Sequence, residues 1–133
     1  MLNGDPTANL CRDALLANGI EQSAYLPLNA VPWYDAPTSH TNAILREGAH
    51  YNRELILLHG VKLVLLLGGS ARKSLRWLNL PDDIETRCLP HPGRLGLINF
   101  KVDGAKVGHH EARRILIEGF ALRALPRDPR PSG

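Results

Sequence analysis

Cysteine is scarce in this sequence and long apolar runs are absent, and each shortage excludes a class of protein. The two cysteines, Cys11 and Cys88, are too few for a disulfide scaffold, a four-cysteine zinc site or an iron–sulfur cluster. The longest apolar stretch, residues 63–67, is far shorter than the roughly 20 residues that span a bilayer. The first residues do not follow the basic and apolar pattern of a secretory signal. We therefore expect a cytoplasmic protein that binds no membrane, metal or cofactor.

The remaining composition is that of one folded domain. The chain has 133 residues, of which 44% are hydrophobic and 22% charged. These proportions are ordinary for a globular protein, and a chain of this length buries roughly two thirds of the surface that its unfolded form exposes. We expect a monomer with one domain over residues 1–125 and a disordered tail, rich in proline and arginine, over residues 126–133.

Positive charge is unevenly distributed along the chain. Residues 1–60 contain 3 Lys or Arg against 6 Asp or Glu, whereas residues 61–133 contain 13 against 7. The net charge of +3 therefore divides into −3 for the first part and +6 for the second. A basic second half is what an anionic partner such as DNA requires, although many solvated helices are equally basic.

Hydrophobic periodicity and turn residues divide the chain into alternating helices and strands. The strongest element covers residues 62–67, whose continuous apolar side chains are typical of a parallel strand covered on both faces. Helices are predicted over residues 5–19, 41–59, 70–78 and 109–122, strands over 24–29, 62–67 and 84–89, and a loop over 91–107. This order predicts an α/β fold, in the form of a three-layer α/β/α sandwich with a short parallel sheet.

Three segments follow the carboxyl ends of the predicted strands, where open parallel sheets bind their ligands. They are residues 29–33, 68–70 and 91–96. Each segment also has a purely structural interpretation, as a turn, a helix cap or a rigid loop between prolines. Their common position at one rim of the sheet favours a shared binding site.

The middle segment has the composition of an anion site. Gly68 and Gly69 allow backbone N–H groups to approach an anion, and the helix that starts near Ser70 adds its positive end. The spacing is neither that of a P-loop nor that of a dinucleotide fingerprint, so a phosphate of a polymer backbone is the better ligand. Basic side chains follow on the same helix at Arg72, Lys73 and Arg76.

Other reactive constellations fit poorly. His109 and His110 are adjacent, so their side chains diverge by about 100° on a helix and lack the i,i+4 spacing of zinc hydrolases. Cys88 and His91 are awkward as a nucleophilic pair because they lie on opposite pleat faces of a strand. Ser70 lacks the Gly-x-Ser-x-Gly elbow of a serine nucleophile.

Three segments in order, "LPLNAVPWY", "VKLVLLLGGSARKSLRWL" and "LPHPGRLGLINF", resemble the uracil-DNA glycosylase superfamily. The similarity extends from about residue 5 to residue 120 and is greatest to bacterial uracil-DNA glycosylase-like proteins. In those proteins a strand ending in Asn leads into Val-Pro-Trp, and a later strand ends in His-Pro-Ser. The resemblance implies the family's α/β fold and the removal of uracil, or a related damaged base, from single- or double-stranded DNA.

The resemblance also implies a role for each matching residue. Asn29 would read the Watson–Crick edge of an extruded uracil, within a pocket wall formed by Pro32 and Trp33. His91 would be the catalytic donor to the uracil oxygen as the glycosidic bond breaks. Leu95 would enter the minor groove as an apolar wedge, and Arg94 would be the cation that contacts phosphate there. The implied DNA contacts are Gly68, Gly69, Ser70, Arg72, Lys73, Pro92, Gly93, Arg94 and Leu95.

The sequence departs from the family pattern at two places. The family has an additional first strand, followed by a loop whose Asp or Asn positions the attacking water, and the sequence begins within the helix that comes next. Gly93 stands where the motif has Ser. Excision therefore requires that the water-activating group be either supplied by a segment that precedes this sequence or replaced by another residue. The alternatives are a relative that binds DNA or a nucleobase without excision, and an unrelated α/β module that binds a phosphorylated small molecule.

Overall fold

A computed structural model describes residues 6–30 and 40–122 of the chain. Its helices are α1 Pro6–Ala17, α2 Asn42–Leu58, α3 Gly69–Leu78, α4 Arg94–Asn99 and α5 His109–Glu118. Its strands are β1 Leu63–Leu67, β2 Glu85–Leu89, β3 Lys101–Val102 and β4 Ala105–Lys106, and a 3₁₀ turn covers Gln22–Ala24. Within these described ranges, no helix combines the length and apolarity needed to cross a membrane.

Strands β1 and β2 form a two-stranded parallel sheet, with helix α3 as the connection between them. The register pairs Leu63 with Glu85 and Leu67 with Leu89. Successive side chains of a strand point to opposite faces, and both faces of β1 are apolar. The mixed α/β class and the short parallel sheet that the apolar run predicts are therefore confirmed.

Two apolar clusters contact opposite faces of β1. The first is formed mainly by α1 and α5 and includes the fully buried Leu116 and Phe120, with Leu65 of β1 packed against it. The second is formed by α2 and α3 and includes Ile56, Leu78 and Leu66 of β1. Burying each such side chain contributes about 1.5–3 kcal/mol. Both faces of β1 are therefore covered by apolar side chains.

Local sequence signals fix the ends of α2 and α3. The hydroxyl of Thr41 accepts a hydrogen bond from the Ile44 N–H at 3.3 Å and caps the start of α2, as the sequence predicts. Gly60 follows the end of α2 at φ 64, and Asn79 ends α3 in the left-handed conformation at φ 46. Arg53 of α2 donates to the Asn79 carbonyl at 3.2 Å. The two helices therefore lie side by side and run in the same direction.

Arg87 is a buried cation in the middle of β2, with 7% of its surface exposed. Its Nε donates to Glu85 at 2.7 Å, and its Nη1 donates to the carbonyls of Gly119, at 2.9 Å, and Ala121. The hydrogen bond from Arg87 holds the pKa of the Glu85 carboxyl below its ordinary value. Arg87 thereby joins the end of α5 to the sheet.

The predicted strand over residues 24–29 is not formed. The chain makes a 3₁₀ turn and then continues in a segment that pairs with no strand among residues 6–30 and 40–122. Pro27 has no N–H to donate, and Leu26 and Leu28 are 40% and 37% exposed. Tyr25 anchors this segment by packing on Phe120, with ring centroids 6.4 Å apart. Burial, with Cys11 nearby, raises the pKa of Tyr25 to about 12.

The predicted loop over residues 91–107 contains ordered elements instead. Its first part is the short helix α4, which buries Leu97, and its second part is the β3–β4 hairpin. Asp103 and Gly104 turn that hairpin with positive φ values of 53 and 83, the conformation that an Asp-Gly pair favours. Helix α5 also ends earlier than predicted, at Glu118. Residues 31–39 and the proposed tail over 126–133 lie outside the described residues.

Candidate functional site

Gly68 and His91 lie in contact where the chain leaves β1 and β2. The Gly68 N–H donates to the Leu89 carbonyl at 3.0 Å, which draws the two strand ends together. Gly68 has φ 91, and a Cβ at this position would lie 2.9 Å from the Cβ of His91. A Cβ on Gly96 of α4 would lie 2.5 Å from the His91 carbonyl oxygen. Both positions require glycine because His91 is held closely between them.

One hydrogen bond determines which nitrogen of His91 carries the proton. The backbone N–H of Gly93 donates to Nδ1 of His91 at 2.9 Å. A nitrogen that accepts a hydrogen bond has no proton, so the neutral ring carries its proton on Nε2. The His91 side chain is exposed. The arrangement therefore provides a hydrogen-bond donor, Nε2–H, on the surface beside the start of α3.

A second histidine reaches the same end of α3. Nδ1 of His40 lies 2.9 Å from the hydroxyl oxygen of Ser70, the second residue of that helix. His40 directly precedes the Thr41 cap of α2, so this contact joins the N-termini of α2 and α3. The sequence places His40 directly before the predicted helix over residues 41–59 and predicts no contact between it and α3. The contact depends on the packing of two helices, and no local sequence signal marks it.

The predicted phosphate contacts lie on or near these N-termini. Gly69 and Ser70 form the first turn of α3, whose free backbone N–H groups give it a positive end. Arg72 and Lys73 follow on that helix, both exposed. Arg76 lies one turn further along and stacks its guanidinium 4.9 Å from the centre of the Trp77 ring. This end of α3 is a basic surface beside His91.

The segment after His91 divides into anchored and exposed residues. Pro92 is buried and Gly93 is half-buried, and Gly93 makes the hydrogen bond to His91. Arg94 begins α4 and is exposed, and Leu95 is 72% exposed. A leucine this exposed beside an arginine fits an apolar wedge next to a phosphate contact.

Asn29 lies away from this group of residues. Its backbone carbonyl accepts a hydrogen bond from Nδ2 of Asn52 at 2.8 Å. Asn52 lies about 16 Å along α2 from the Thr41 cap, at a rise of about 1.5 Å per residue, and its neighbour Arg53 contacts the opposite end of α3. The Asn29 backbone is thus placed about three turns from the His40–Ser70 contact. Base recognition by Asn29 stays a prediction, and Pro32 and Trp33 lie outside the described residues.

Asn52 carries a buried acceptor. Its side-chain oxygen Oδ1 has no hydrogen-bond partner among the described residues, and the residue is 6% exposed. Across the same described ranges, no group of three or more His, Cys, Asp or Glu side chains is arranged to hold a metal ion.

In comparisons with known proteins, no family model matches the chain, and no significant match is found among curated proteins or solved structures.

Proposed function

We propose that this chain is a uracil-DNA glycosylase-like protein that binds DNA at the sheet rim and excises uracil or a related base. The observation that carries the proposal is the hydrogen bond from Gly93 to Nδ1 of His91, which leaves Nε2–H as an exposed donor. The target base is flipped out of the DNA stack to reach this donor, because it is inaccessible inside a duplex.

His91 acts on the base that leaves. When the N-glycosidic bond breaks, its electron pair stays on the base; water then adds its hydroxyl to the sugar, and its remaining proton neutralises the departing base anion. A neutral imidazole donates from Nε2 to the base oxygen on which negative charge develops, and so stabilises the transition state. The close approach of Gly96 to the His91 backbone and of Gly68 to its Cβ and ring supports this role, because it restricts where the side chain can lie.

The surface around His91 supports binding of a polyanion. The positive end of α3, with Arg72 and Lys73 exposed beside it, binds a backbone phosphate. Leu95 enters the minor groove as a wedge, with Arg94 on an adjacent phosphate. The proposed fold is a three-layer α/β/α sandwich of the uracil-DNA glycosylase type, and the apolar clusters on both faces of β1 support it.

The test of this proposal is release of uracil from a single-stranded oligonucleotide. We expect His91→Ala to lower the excision rate by about two orders of magnitude, the effect of removing one donor to a developing oxyanion. His50→Ala is the matched control, because His50 is an exposed histidine on α2, away from the rim. Excision by His91→Ala at the parent rate would remove His91 from the mechanism.

A second candidate function is DNA binding without excision. The position of the Asn29 backbone favours it, since a carboxamide reader has to lie beside the donor that acts on the same base. This candidate requires oligonucleotide binding that weakens steeply with salt, as phosphate contacts do, together with no release of uracil. Release of uracil by the parent protein would exclude it.

A further inference from the structure

A cleft at the edge of the surface assigned above shares Pro92 and Arg94 with it and adds residues of α1 and α5. It has a volume of about 260 Å³ and is open to solvent on one side. Three elements form it, namely the first turns of α1, the segment that begins α4, and the start of α5. Its polar lining consists of Asn9, Asp13, Arg94, His109 and Arg113, and Pro92, which directly follows His91 in the chain, also lines it.

Basic side chains from separate parts of the chain line the cleft. His109 and Arg113 are four residues apart on α5 and therefore lie on the same face of that helix. Arg94 approaches from α4. Within the lining, Asp13 is the acidic residue, and its carboxylate lies 3.9 Å from the Arg113 guanidinium. That distance allows only a loose ion pair, and a guanidinium has five N–H donors, so Arg113 retains donors for a ligand.

Arg114, the next residue on α5, differs from Arg113 because its guanidinium is paired with two carboxylates. It makes ion pairs with both Glu111 and Glu118 along the outer face of α5. The charge of Arg114 is therefore balanced by carboxylates of its own helix, whereas the ion pair described for Arg113 is the 3.9 Å contact with Asp13. Of these two arginines, Arg113, which lines the cleft, is therefore the one whose positive charge is only loosely paired.

We propose that this cleft binds a backbone phosphate of the nucleic-acid strand whose flipped base reaches His91. The phosphate lies one nucleotide along the backbone from that base. The inference rests on the proposed function, because the cleft continues from the His91 loop through Pro92 and Arg94. Arg113 and Arg94 donate to the phosphate oxygens, and the Asn9 side chain donates beside them, its carbonyl oxygen already accepting from Arg12. Asp13 limits the affinity by its negative charge.

The test measures binding of a single-stranded, uracil-containing oligonucleotide over a range of salt concentrations. We expect Arg113→Gln to weaken binding about tenfold at low salt and to reduce the salt slope by about 0.7, the value for one phosphate contact on a single strand. Arg114→Gln is the matched control, since it removes the same charge from the adjacent position, and it should leave the slope unchanged. Asp13→Asn should tighten binding. Thermal unfolding of each variant checks that the fold is kept.

The outcomes separate this inference from the proposed function. If Arg113→Gln and Arg114→Gln weaken binding equally, the effect is one of net charge and the cleft is not a phosphate site. If both retain the parent slope while His91→Ala abolishes excision, the proposed function stands and the cleft proposal is wrong. If the parent protein binds no oligonucleotide, both proposals are overturned.

Discussion

Two glycines determine where His91 lies, and one backbone N–H determines its tautomer. Gly96 approaches the backbone and Cβ of His91, Gly68 approaches its Cβ and ring, and the Gly93 N–H orients the ring. The parallel-strand rule predicts that the loops after β1 and β2 meet, so the proximity of Gly68 and His91 follows from the sequence. The contact of His40 with Ser70 does not, because it depends on how α2 packs against α3.

Replacement of Gly68 tests this arrangement at the residue scale. Gly68→Ala places a methyl group 2.9 Å from the Cβ of His91 at a φ of 91, so we expect a loss of about 3 kcal/mol in the free energy of unfolding. Gly108→Ala is the control, because Gly108 also precedes a helix with φ 91 and an extended ψ but has open space around it. It should cost about 1–2 kcal/mol, from backbone strain alone. Urea unfolding measures both, and equal losses would mean that the His91 contact imposes no constraint.

The helices and strands that are marked by a local sequence pattern could be predicted. A strand that depends on pairing with a segment distant in sequence could not. Strand β1 and helix α3 follow from an apolar run that ends in two glycines. The segment over residues 24–29 has strand-like residues, but a strand needs a neighbour with which to pair, and its sequence does not supply one. The β3–β4 hairpin was missed although Asp103-Gly104 is a recognised turn signal, since each strand has only two residues.

Arg87 is the residue on which the joint between β2 and α5 depends. Arg87→Met keeps the length of the side chain but leaves the carbonyls of Gly119 and Ala121 without their donor, so we expect a loss of about 2–4 kcal/mol. Arg114→Met is the control, because that arginine is exposed and its ion pairs face solvent. Chemical denaturation gives both values. A loss for Arg87→Met no larger than that of the control would show that the buried guanidinium does not hold α5.

At the scale of the whole molecule, the two apolar clusters share one sheet. Leu65 and Leu66 are adjacent in β1, yet they pack into different clusters. Because the two leucines are neighbours in one strand, a change in the packing of one cluster is transmitted directly to the other. This arrangement predicts a single cooperative unfolding unit rather than two.

A substitution in one cluster, observed from the other, tests that cooperativity. Phe120→Leu should reduce stability by about 1–2 kcal/mol, because it leaves a small cavity in the first cluster. Trp77 packs against the second cluster and reports by fluorescence, in a Trp33→Phe background that removes the other tryptophan. We expect the Trp77 transition to shift to the same lower midpoint as the far-ultraviolet circular dichroism. A Trp77 transition that does not move would indicate two independent units.

The hydrogen bond from Gly68 to Leu89 has a consequence for how fast a bound molecule leaves. It joins the residue before α3 to the last residue of β2, two positions before His91, and so restrains the two loops relative to each other. A ligand that touches both meets a surface already in its bound shape and avoids an ordering cost of about 0.5–1.5 kcal/mol for each side chain that would otherwise be immobilised. Preorganisation of this kind lengthens the residence time of the complex more than it speeds its formation.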